Sequence, residues 1–84
     1  QRRLEREAAK KTQQEERRRS KKISELEAAI TSLELRKSQI EEEMAKPEVY
    51  TDGEQIRRLQ READEVSKKI DAAFKEWTSL SEPN

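Results

Sequence analysis

Cysteine and histidine are both missing from the 84 residues. Without thiols there are no disulfides and no thiolate metal sites, and without imidazole the commonest general base and nitrogen ligand are gone. Most hydrolytic chemistry is thereby excluded. Glycine occurs once and proline twice, and aromatic residues make up only 4% of the chain. A phosphate-cradling loop needs several glycines, and the lone Gly53 is followed by no Lys-Ser or Lys-Thr pair, so the chain is expected to hold no nucleotide or other cofactor of its own. No apolar run approaches the roughly 18 residues of a membrane span, and no signal-peptide core opens the sequence. The expectation is a cytoplasmic chain without membrane contact.

What remains is 45% charged and 30% apolar, rich in Glu, Lys, Arg, Gln and Ala. Such a chain has too little apolar surface for two packed layers, and its long unbranched side chains favour helix. Disorder is the rival reading of the same composition, and periodicity decides between them. From Ile23 the apolar residues fall at Ile23, Leu26, Ile30, Leu33, Ile40 and Met44, with Lys37 in the one position left over. Steps of three and four in alternation make a heptad seam, a at 23, 30, 37 and 44 and d at 26, 33 and 40. A first helix is predicted over about 23–46.

Pro47 ends it, because its ring disfavours helical geometry in the preceding residue. A loop over about 47–51 follows, and Thr51 with Glu54 has the spacing of a capping box, opening a second helix over about 52–81. That helix repeats the seam at Ile56, Leu59, Ala63, Val66, Ile70, Ala73, Trp77 and Leu80. So short a connection forces the helices antiparallel. The predicted fold is all-α: a two-helix antiparallel coiled-coil hairpin over 23–81, a basic extension over 1–22 and a tail over 82–84.

Hydrophobic matching favours the register that sets Met44 against Leu59, Ile40 against Ala63, Leu33 against Ile70 and Leu26 against Trp77. It brings Glu43 toward Glu62 and Arg36 toward Lys69, and a register one heptad away stays open. Lys37 reads as a register device whose stem packs while its ammonium reaches water. Trp77 reads as core. Val49 and Tyr50 at the tip either cover the last core layer or offer a partner an apolar contact. The run Glu41-Glu42-Glu43 reads as a solvated face, since neighbouring helical residues do not converge on a metal ion.

A formal net charge of zero hides a division. Residues 1–22 hold ten Lys/Arg and four Glu, and residues 23–84 hold nine Lys/Arg and fifteen Asp/Glu, so a +6 arm precedes a −6 body. The arm lies beyond the end of the second helix and is expected to be a linker or frayed helical extension. Its clusters Arg17-Arg18-Arg19 and Lys21-Lys22 are the candidate nucleic-acid contacts, by counterion release from phosphates and without base stacking. A solvated linker is the competing reading of the arm.

The run from Met44 to Glu54, with Pro47 and Tyr50, followed by a heptad helix that closes on Glu76-Trp77-Thr78-Ser79-Leu80, resembles the C-terminal coiled-coil domain of bacterial ABC-F ATPases. Leu4-Glu5-Arg6-Glu7 and the Lys/Arg-rich stretch after it resemble the linker that follows their second ATPase domain. The resemblance implies a piece of a soluble tandem ATPase in which ATP and magnesium belong to the ATPase domains of the same polypeptide. It also implies an accessory role on DNA, ribosomal RNA or the ribosome, served by basic residues. The acidic body departs from more strongly basic members and argues against nucleic-acid contact by 23–80. The alternative is a structural spacer or protein-docking coiled coil. A monomer is expected, because the hairpin covers its own seam.

Overall fold

In the computed structural model, whose described residues are 2–82, α1 runs from Arg2 to Met44, α2 from Pro47 to Tyr50 and α3 from Gly53 to Ser81. Gln1, Pro83 and Asn84, including most of the expected tail, lie outside the described residues. α1 and α3 pack as an extended hairpin measuring 73 × 16 × 16 Å. The all-α antiparallel hairpin read from the heptads is the fold observed.

Residues 2–22 are helical and continue α1 without a break, giving a helix of 43 residues. No glycine or proline interrupts them, and Glu7 with Lys11 and Glu15 with Arg19 stand four apart in the orientation that supports a helix. The length of the rod follows from this continuation.

Pro47 both stops α1 and starts α2. It holds Lys46 extended at φ −75 and ψ 133, and as the first residue of the next turn it lacks only an amide that would have no helical partner. The expected loop is therefore a helical turn, which folds Val49 back into the core. The capping box on Thr51 and Glu54 is also corrected. Thr51 Oγ1 donates to the Pro47 carbonyl at 2.6 Å, and Asp52 is the cap, accepting from the amides of Glu54 at 3.1 Å and Gln55 at 3.3 Å. α3 begins one residue later than expected, so the capping pattern shifts by one: Gln55 Nε2 donates back to Asp52 Oδ2 at 3.0 Å.

The core is a single line of side chains. Ile40, Val49, Leu59, Val66 and Ile70 form its buried cluster, with Leu33, Met44, Ile56 and Ala63 packed on it. Ile40 is fully buried. Leu26 and Ile30 extend the seam toward the open end. Met44, Leu59, Ile40, Ala63, Leu33 and Ile70, which the favoured register pairs, all belong to this cluster. Trp77 Nε1 donates to Glu27 Oε1 at 3.1 Å, which sets Trp77 beside the residue next to Leu26.

Arg36 does not stand against Lys69. Its Nε donates to Glu62 Oε1 at 2.7 Å, one heptad away from the expected neighbour. A long guanidinium stem can lean along the groove, and the carboxylate draws it away from the like charge.

Candidate nucleic-acid interface

The end of α3 divides the basic arm into two parts. Arg19 Nε donates to the Leu80 carbonyl at 2.6 Å, satisfying one of the orphan acceptors at the C-terminus of α3. Lys22 Nζ lies 3.6 Å from Glu76 Oε1. These two of the five candidate contacts thus touch the hairpin, contrary to the expectation that the arm has no partner helix. Arg17, Arg18 and Lys21 are exposed, and among the described residues they take part in no salt bridge. Residues 2–18 project past α3 as a lone helix, roughly 25 Å long at 1.5 Å per residue.

Every residue from Glu5 to Lys22 is exposed. Positive side chains on a lone helix keep their full hydration until a partner replaces it, and mobile counterions surround them. The arrangement suits reversible, salt-sensitive contact with a polyanion. It offers no enclosed site for a small molecule.

At the other end the two tip candidates separate. Val49 is 8% exposed and closes the last core layer, whereas Tyr50 is 57% exposed. Of the two, Tyr50 alone is open to solvent. Lys37 sits half-buried in the seam, and Trp77, also half-buried, meets the edge of Phe74 with centroids 6.5 Å apart and planes at 82°. The contacts of Glu27 with Trp77 and of Glu76 with Lys22 leave no signal in the sequence, because they join residues about fifty apart that only the register brings together.

Among the described residues, Asp52 is the group whose acidity moves clearly. The Gln55 amide and side chain, donating to its carboxylate, hold its pKa below the ordinary value of 3.8. Among the described residues, no group of three or more acidic, His or Cys side chains could hold a metal ion. No described helix is long and apolar enough to cross a membrane.

A narrow seam, a shape of 73 Å by 16 Å and an arm outrunning its partner helix define an extended helical-hairpin module. Residues 10–82 match the ABC transporter C-terminal domain family, and the chain belongs to that family. It is an accessory domain of an ABC protein. The match begins inside the basic arm, so Lys10 to Lys22 are part of the domain along with the hairpin. No curated protein and no solved structure matches the chain.

Proposed function

We propose that this accessory domain serves a cytoplasmic ABC-F type tandem ATPase and binds nucleic acid, DNA or ribosomal RNA, including RNA displayed on the ribosome. One observation carries the reading: residues 2–18 of the +6 segment run as a lone helix past the end of α3, and every side chain from Glu5 to Lys22 is exposed. Of the five candidate contacts, Arg17, Arg18 and Lys21 are free to meet phosphates, while Arg19 and Lys22 stand at the junction. The domain has no catalytic role in this reading; ATP and magnesium are bound by the ATPase domains of the same polypeptide. The hairpin acts as a monomer, stiffens the arm and holds it away from those domains.

The test is an NMR titration of the labelled chain with a structured RNA and a DNA duplex at low and moderate salt. Shifts confined to residues 1–22 that vanish as salt rises, and that are lost when Arg17, Arg18, Arg19, Lys21 and Lys22 become Gln, bear the reading out. Absence of shifts at low salt overturns it. The exposure of Tyr50 at the far end favours a second reading, a docking or spacer coiled coil that engages protein at its tip. In that case Tyr50→Ala disrupts partner capture and the charge substitutions do nothing.

A further inference from the structure

The charges of the free arm are sorted by face. At about 100° per residue, Arg6, Lys10, Arg17 and Lys21 fall within about 60° of one another, with Lys10, Arg17 and Lys21 on the far side from the continuation of the a/d seam and Arg6 at the edge nearer to it. Their steps of four, seven and four residues make a straight row about 22 Å long. The neutral Gln13 and Gln14 border the longer gap. Glu5, Glu15 and Glu16 lie on the other side, around the seam line, and Glu7 borders the row about 60° from Lys10.

Arg6 with Lys10, and Arg17 with Lys21, are like charges four residues apart, a spacing that weakens a solvated helix; Arg18 with Lys22 has the same spacing, but Lys22 is paired with Glu76. Arg6 and Arg17 moreover have no acidic residue three or four positions away, whereas Lys10 has Glu7, Lys21 has Glu25, and Lys11, Arg18 and Arg19 all have Glu15 at that distance. The row also faces away from α3. The salt bridges of the described residues are Lys22 with Glu76 and Arg36 with Glu62, and the row takes no part in them.

We propose that Arg6, Lys10, Arg17 and Lys21 form one phosphate-tracking stripe that lies along a nucleic-acid backbone, and that Arg18, Arg19 and Lys22 are outside it. The inference rests on the nucleic-acid reading above and names the surface and the chemistry it takes. A straight row of cations matches the regular charge of a nucleic-acid strand. An anionic lipid surface fits less well. Residues 5–22 contain no apolar side chain larger than Ala, so the arm has nothing to bury among acyl chains.

The experiment measures binding of the full chain to a labelled DNA duplex, an RNA hairpin and phosphatidylcholine–phosphatidylserine vesicles across a salt series. One variant carries Gln at Arg6, Lys10, Arg17 and Lys21. A second carries Gln at Arg57, Arg61, Lys68 and Lys75, exposed on α3, and changes the net charge equally. Circular dichroism confirms that both stay helical. The stripe variant is expected to lose at least tenfold in affinity and to flatten the slope of log K against log salt on the duplex by about 3.6, about 0.9 for each of four phosphate contacts. The α3 variant is expected to bind as the wild type does, and the DNA and RNA arms show which strand the stripe prefers. Equal losses in both variants, undiminished binding by the stripe variant, or wild-type binding to vesicles alone overturns the stripe. Failure of the wild type to bind either nucleic acid overturns the nucleic-acid reading itself.

Discussion

Arg36 directs both Nε and Nη2 onto Glu62 Oε1, each at 2.7 Å, bridging α1 and α3 near the middle of the hairpin. The pair sits on the rim of the seam with both side chains partly open to water and both donors sharing one carboxylate oxygen, so its contribution is that of a surface bridge.

A double-mutant cycle on Arg36→Ala and Glu62→Ala is expected to give a coupling of about 0.5–1 kcal/mol, shrinking as salt is raised. Chemical unfolding followed by circular dichroism measures it. A coupling of zero at low salt would show that the bridge costs as much ordering as it returns.

Ile40→Ala should cost about 2–5 kcal/mol, because Ile40 is fully buried and the thin rod has no second layer to collapse into the cavity. A hairpin with one line of core has little stability to spare, so the variant should melt without a cooperative transition. Tyr50→Ala, at the exposed tip, should leave the melting curve within about 0.5 kcal/mol of wild type.

Asp52 ties stability to pH at the acid end. Its folded-state pKa lies below 3.8 because its carboxylate accepts from Gln55 and Glu54, so its stabilising effect is present above that value and is lost as pH falls below it. Asp52→Asn keeps an acceptor for the α3 amides while removing the titration. The variant should retain helix content near neutral pH and show a weaker drop in melting temperature on acidification, read by circular dichroism between neutral and strongly acidic pH.

Arg19 closes the C-terminus of α3 through the Leu80 carbonyl, and its neighbour Arg18 has no such contact. Arg19→Gln should therefore raise amide exchange at the end of α3, around Ser81 and Glu82, while Arg18→Gln leaves exchange there unchanged. Hydrogen exchange by NMR distinguishes the two. Equal protection in both would mean that the arginine contact does not hold the end of the helix.

The heptad spacing from Ile23 to Met44 and from Ile56 to Leu80, with Pro47 between, specifies two antiparallel helices and their seam, because apolar burial along a narrow face leaves no other arrangement. Charge division between arm and body is equally plain in the chain, since formal charge does not depend on folding. Other features depended on contacts between residues far apart. Whether the arm frays or continues α1 turns on small local propensities without a seam. The inward turn of Val49 and the outward turn of Tyr50 came from one helical turn at Pro47, and the shift of the α3 cap to Asp52 from a start one residue later. The five basic residues look alike along the chain, and only the place where α3 ends sets Arg19 and Lys22 against it while Arg17, Arg18 and Lys21 stay in water, because hydrogen bonds and ion pairs form where packing brings partners within reach.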